Sequence, residues 1–184
     1  MRFATAPALP VSPVALVTVL VTRAELPEAV FDLLRVAFPK DTADQDLFWP
    51  PDSVHALVFD GERLVAHAGF LVRTFYVDGR PIETAYVEYV GAEPRRSGYG
   101  TIAVRAIDDE IRRRGFALTA LATGSPEFYE RLGWRRWRGT PAYRKPDGTV
   151  VPTPDECVMV IDLGANVDLD APIECEWRAV GDIW

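Results

Sequence analysis

The stretch Arg95-Arg96-Ser97-Gly98-Tyr99-Gly100-Thr101 sets two adjacent cations beside two closely spaced glycines. It follows Tyr86-Val87-Glu88-Tyr89-Val90-Gly91-Ala92-Glu93-Pro94, which reads as a strand ending at its proline, and it opens a helix predicted from about Gly100 to Arg114. A helix start leaves backbone N–H groups without intrahelical acceptors, and the macrodipole puts partial positive charge there. Gly98 and Gly100 keep the turn free of Cβ atoms, so a phosphate could approach the backbone closely. Arg95 and Arg96 add full charge. The chemistry suited to these residue types is anion binding; the plainer reading is a basic helix cap with a solvated arginine pair.

Two common phosphate loops do not describe this turn. The chain has no Gly-x-x-x-x-Gly-Lys-Ser/Thr, and no Gly-x-Gly-x-x-Gly with an acidic residue about twenty positions on. What stands here is Arg-x-x-Gly-x-Gly, after the fourth or so strand rather than the first.

The elements that must position this turn follow from the rest of the 184 residues, a length suited to one domain with a sizeable core. A net charge of −7 argues against nucleic acid as the main partner and suits a cationic substrate. Cys157 and Cys175 make no disulfide framework, and neither has metal-ligand spacing with His55 or His67, so no metal is expected and a reducing cytosol is the natural setting. The apolar run from Val11 to Val21 imitates a signal-peptide core, but it contains Pro13, lacks a small-x-small cleavage site and is too short to span a membrane. Its β-branched alternation reads as strand one, with residues 1–10 as a loose N-terminal tail.

Thr22-Arg23-Ala24-Glu25 has the form of a capping box, yet Pro27 is better placed as the first residue of a helix whose apolar face runs from Val30 to Phe38. Residues 41–54 carry Asp41, Asp44, Asp46 and Asp52 beside Phe48 and Trp49, without a lysine or arginine. Such a loop can bind a polycation, or can equally be an exposed loop whose aspartates make turns and whose aromatics plug the core. His55 onward reads as a three-strand antiparallel meander with turns at Asp60-Gly61 and Asp78-Gly79. His67, inside its middle strand, reads as a satisfied strand histidine. The helix after the glycine turn buries Ile102, Ala103, Val104, Ala106, Ile107 and Ile111, and its Asp108, Asp109 and Glu110 read as a solvated face paired with Arg112, Arg113 and Arg114. Phe116 to Ala122 is then a strand parallel to the one ending at Glu93. Ser125 caps a short helix bearing Phe128 and Tyr129, and strands begin at Trp134 and Val158. Residues 152–184 are acidic, and the tail ending at Trp184 reads as docked.

The Arg-x-x-Gly-x-Gly turn resembles the pyrophosphate signature of the GNAT superfamily of acyl-CoA-dependent N-acetyltransferases, and the order of elements is similar over nearly the whole chain. The resemblance implies an α/β (α+β) fold: a single domain, 1–184, with a mixed, mostly antiparallel sheet flanked by helices and containing a splayed parallel strand pair. Tyr86-Val87-Glu88, the Phe128-Tyr129-x-x-x-Gly133-Trp134 segment and the tail Cys175-Glu176-Trp177-Arg178-Ala179-Val180-Gly181-Asp182-Ile183-Trp184 most resemble the aminoglycoside 2′-N-acetyltransferases. Two departures stand out: an extra tail residue, Val180, and a shorter segment between Leu121 and Tyr129.

Carried over residue by residue, the resemblance implies Glu88 as general base acting through a water, and Tyr129 as the acid that protonates the leaving thiolate. On their own, the two residues read as a surface or paired strand carboxylate and a core tyrosine. The resemblance further implies that Val90 and Ala92 offer backbone groups to the pantetheine and acetyl carbonyl of acetyl-CoA. Arg95, Arg96, Ser97, Gly98, Tyr99, Gly100 and Thr101 would hold its pyrophosphate. Asp41, Asp46, Asp155, Glu156, Asp182 and the Trp184 carboxylate would gather a substrate's ammonium groups, with the Trp184 carboxylate also a candidate in proton removal. Family members often dimerise, which extends the expectation of a homodimer to this chain. The acceptor would be an aminoglycoside or similar amino sugar; another small amine, polyamine or protein amine, or a non-catalytic acyl-CoA or drug-binding role, are the rival readings.

Overall fold

The computed structural model describes residues 15–39, 49–179 and 183–184. Strand β1 (Leu16–Thr22) leads through one 3₁₀ turn (Arg23–Glu25) into α1 (Glu28–Ala37). The meander β2 (Val54–Asp60), β3 (Arg63–Val77) and β4 (Arg80–Ala92) comes next, then α2 (Tyr99–Arg114), β5 (Leu118–Ala122) and α3 (Pro126–Glu130). The short strands β6 (Arg135–Arg136), β7 (Pro141–Arg144), β8 (Val150–Pro152), β9 (Val158–Asp162) and β10 (Ile173–Glu176) complete it.

The strands form one mixed, mostly antiparallel sheet in the order β6-β9-β5-β4-β3-β10-β7-β8, with β2 and then β1 branching from β3. The meander forms as the turn signals require, and β5 runs parallel to β4, as a helix crossover dictates. The long β3 serves two partners along one edge: β2 along its first half and β10 at Phe75–Val77. That free half-edge is where the C-terminal tail docks.

Alternation along β3 and β4 divides the core in two. On one face Leu71, Phe75 and Tyr86 pack with Val30 and Leu34 of α1. On the other, Phe70, Ala85 and Val87 pack against Ala103, Val104, Ile107 and Ile111 of α2. Among the described residues no helix is long and apolar enough to cross a membrane.

Local expectations change in four places. β1 begins at Leu16; residues 11–14 lie outside the described part. Thr22 N–H does donate to Glu25 Oε2, at 2.8 Å, but this box closes a single 3₁₀ turn, and Pro27 is the N-cap of α1 rather than its first residue. The hydroxyl of Ser125 does not cap α3; its N–H donates to Thr123 Oγ1 instead. The acidic stretch of α2 is not a solvated face: α2 lies across β2, β3 and β4, so its buried arc is wider than its apolar stripe and takes in Asp108 and Glu110. Glu110 is compensated by both Arg113 and Arg114, at 2.7 and 2.8 Å, which hold its carboxyl down to about 2.

Asp108 is not compensated in this way. Its Oδ1 and Trp134 Nε1 are both buried without a full hydrogen bond, and burial, only partly offset by the neighbouring Trp134 and Arg112, pushes its carboxyl from 3.8 up to about 6. Above the unfolded value the folded chain keeps a proton that the unfolded chain has released, so stability falls as pH rises through this window and the penalty is complete above it. Asp108→Asn is therefore expected to raise the unfolding free energy by about 1–3 kcal/mol near pH 8 and to change it little near pH 3.5, read from urea titrations.

Candidate active site

β4 and β5 are hydrogen-bonded only over Thr84–Tyr86 and Leu118–Ala120. Beyond that point they part into a cleft of about 860 Å³. A bulge on β4 accompanies the parting. Gly69 faces Glu88, but His67 faces Gly91, so β4 carries one residue more than β3 across this interval. Tyr89 sits there in the left-handed region at φ 53. His67 Nδ1 holds the Tyr89 carbonyl at 2.8 Å, which makes this histidine the satisfied strand residue that the sequence suggested.

At one end of the cleft lies the glycine turn. Gly98, the N-cap of α2, has φ 88, a conformation that favours glycine. Thr101 and Ile102 N–H close back on its carbonyl at 3.1 and 3.3 Å, and Tyr99 N–H reaches Ser97 Oγ only at 3.4 Å. A Cβ on Gly100 would stand 3.7 Å from Ala92 Cβ and 3.8 Å from Phe128 Cζ, and both residues line the cleft. Backbone is therefore bare where a side chain would intrude, a geometry that fits a diphosphate seated on a helix N-terminus.

Two residues of the turn make further contacts, and Arg95 lines the cleft as well. The Arg95 guanidinium donates to the Ala37 carbonyl, so its charge sits on the C-terminal end of α1, whose partial negative charge it meets. The Tyr99 phenol donates to Asp60 Oδ2 at 3.1 Å, tying the turn to the end of β2. Arg96, exposed and at φ 62, keeps its place on the cleft wall.

Glu88 lines the cleft one residue before the bulge, and its Oε2 accepts from Arg178 Nη1 at 3.0 Å. Both side chains are largely buried, at 11% and 13% exposure. Strand-by-strand reading misses this pair because the two residues meet only once the tail is docked. Arg73 does that docking: it donates to the carbonyls of Glu176 and Ile183, and lies 4.9 Å over the Tyr86 ring. Across the cleft, Tyr129 is buried on α3 with its ring edge-on to Phe128 and Trp134. Burial, then the Asp108 carboxylate, raises its phenol above the ordinary value, so it stays protonated at neutral pH.

The remaining candidates that are described do not line the cleft. Trp184 docks through Nε1, which donates to Thr153 Oγ1 at 2.8 Å, and through its ring against Phe75; it is not among the cleft walls. Asp155 and Glu156 are exposed on the connection between β8 and β9, also away from those walls. Asp41, Asp46 and Asp182 lie outside the described residues. Trp49, from the acidic loop, is 3% exposed and plugs the core against Phe31.

Comparison with known proteins agrees with this geometry. Residues 20–137 match the family model described as acetyltransferase (GNAT) domain. Among solved structures, the GCN5-related N-acetyltransferase from Kribbella flavida is similar at 22% identity and TM-score 0.57 over 68% of this chain, which spans only 34% of that protein's chain. The aminoglycoside 6′-N-acetyltransferase from Enterococcus faecium is similar at 18% identity and TM-score 0.60, over 83% of this chain and 99% of its own. An aminoglycoside 6′-N-acetyltransferase complexed with coenzyme A is similar at 17% identity and TM-score 0.57, over 82% and 99%. At these identities the likeness is one of fold. With the family match covering more than half of its length, the chain belongs to the GNAT acetyltransferase family.

Proposed function

We propose that the protein transfers the acetyl group of acetyl-CoA directly to a primary amine of an aminoglycoside or a similar amino sugar. The observation that carries this is that Glu88, the bare turn at Gly98–Gly100 and the protonated phenol of Tyr129 line one cleft where β4 leaves β5. Acetyl-CoA supplies the activated thioester when bound. The first turn of α2 with Arg96 would hold its diphosphate, and the backbone at Val90 and Ala92 would receive the pantetheine and the acetyl carbonyl. The Arg178 guanidinium holds one oxygen of Glu88 at 3.0 Å. The Glu88 carboxylate draws an ammonium group and takes its proton through a water, leaving the amine lone pair free to attack. Tyr129 gives its proton to the departing sulfur. No acyl-enzyme is formed: Cys175 is buried and Cys157 lies off the cleft.

The acceptor class rests on the acidic balance of the chain, on the tail's likeness to aminoglycoside 2′-N-acetyltransferases, and on the aminoglycoside-acetylating neighbours in fold. Exposed ion pairs give about 0.2–1 kcal/mol each, so several carboxylates must act together on a polycation. Thiol release measured across a panel of aminoglycosides, polyamines, small amines and peptides, with product mass spectrometry, tests the reading. Acetylated aminoglycoside is the expected product. Turnover confined to another amine would overturn the acceptor, and binding of coenzyme A with no acetylated product from any amine would overturn the transfer.

A further inference from the structure

A buried polar chain underlies the bulge and takes no part in the chemistry above. Ser53 Oγ lies 2.8 Å from His55 Nε2, His55 Nδ1 lies 3.0 Å from His67 Nε2, and His67 Nδ1 lies 2.8 Å from the Tyr89 carbonyl. Both imidazoles are fully buried and Ser53 is 1% exposed. Gly69 makes room for them, since a Cβ there would stand 2.8 Å from His55 Nδ1. Trp49 seals the group, with its ring 4.8 Å from His55, 5.6 Å from His67 and 5.4 Å from Tyr89.

Burial drives both rings toward the neutral form: His55 falls to about 2, helped by the neighbouring His67 and Arg23, and His67 falls to about 4 despite its bond to the Tyr89 carbonyl. A neutral imidazole carries one N–H. The Tyr89 carbonyl can only accept, so His67 has its proton on Nδ1 and a lone pair on Nε2. His55 must then donate from Nδ1, which leaves its Nε2 to accept from the Ser53 hydroxyl. The Ser53 hydroxyl also lies 2.8 Å from the Pro50 carbonyl, which accepts the Ser53 backbone N–H at 3.0 Å as well. With both rings neutral, only this polarity fills the three contacts that link Ser53, His55, His67 and Tyr89, and the single hydroxyl proton of Ser53 then goes to His55 while Pro50 keeps the backbone N–H.

The chain has a geometric consequence in the cleft. A peptide unit is planar and trans, so its C=O and N–H point in opposite directions. With the Tyr89 carbonyl turned onto the His67 ring, the N–H of Val90 faces away from that ring, at a point where the register gives Val90 no ladder partner on β3 or β5. We infer that the Ser53–His55–His67 chain is a positioning device that locks the bulge and aims Val90 N–H at the carbonyl oxygen of the acetyl group. The inference rests on the reading of the cleft given above; His67 touches no substrate and acts through the backbone.

The test has a spectroscopic arm and a kinetic arm. His55 and His67 are the only histidines in the chain, so long-range ¹H–¹⁵N spectra resolve them without ambiguity. Both should be neutral Nδ1–H tautomers that do not titrate between about pH 5.5 and 8. Either ring found as the Nε2–H tautomer or as a cation overturns the inference, whether or not any amine is acetylated. In the kinetic arm, His67→Asn keeps an amide donor near the Nδ1 position, whereas His67→Gln moves it toward Nε2. His67→Asn should hold kcat within about threefold. His67→Gln should lower it about 10–100-fold, a partial loss of one oxyanion donor, while the Kd of coenzyme A stays unchanged. Equal kcat values for the two variants beside an active wild type overturn this inference alone; an inactive wild type overturns the transfer reading, and the spectra then decide the positioning chain.

Discussion

Glu88→Gln is expected to lower kcat by about 10²–10⁴-fold, the range that a positioned general base contributes, while the Kd of coenzyme A stays within about twofold. The split follows from where the residue sits. Glu88 is on the sheet face that carries Arg178 and the docked tail, whereas the turn assigned to the diphosphate is at the start of α2. Glutamine keeps the shape and one carbonyl acceptor for Arg178, so the fold should hold, which a melting curve checks. Loss of coenzyme A binding together with turnover would mean that Glu88 maintains the cleft rather than the chemistry. Unchanged turnover would remove it from the mechanism.

Gly100→Leu is expected to weaken coenzyme A binding by about 5–150-fold while leaving the free protein as stable as before, or more so. The two effects have opposite signs because Gly100 is a helical residue facing an open cleft. In a helix, leucine replaces the poorest ordinary helix former and gains up to about 1 kcal/mol. In the complex its side chain, leaving the backbone between Ala92 and Phe128, takes space needed by the ligand; crowding of that kind costs about 1–3 kcal/mol. Calorimetry with coenzyme A against a urea titration of the free protein separates the two. Undiminished affinity would show that the diphosphate sits elsewhere.

Much of this architecture was legible in the chain itself because its signals are local. Asp60-Gly61 and Asp78-Gly79 set the hairpins, the i, i+3, i+4 spacing of Val30, Leu33 and Leu34 set α1, and Gly98 with Gly115 bounds α2. The parallel pairing of β4 with β5 followed from the helix between them. The short strands β7, β8 and β10 were not legible, since three or four residues carry too little periodicity to read.

The sequence by itself determined the meander, the glycine turn before α2 and the presence of Glu88 on the strand leading to it, since each depends on residues that are neighbours along the chain. Tertiary structure alone decided what those groups meet. Arg178 comes to Glu88 from 90 positions away, Arg95 reaches the end of α1, burial strips Asp108 of its solvent, and His55 stacks on His67 to reach the bulge. The reason is physical: turn chemistry and periodicity act over a few residues, whereas ion pairing, desolvation and hydrogen-bond polarity depend on which distant segments pack together.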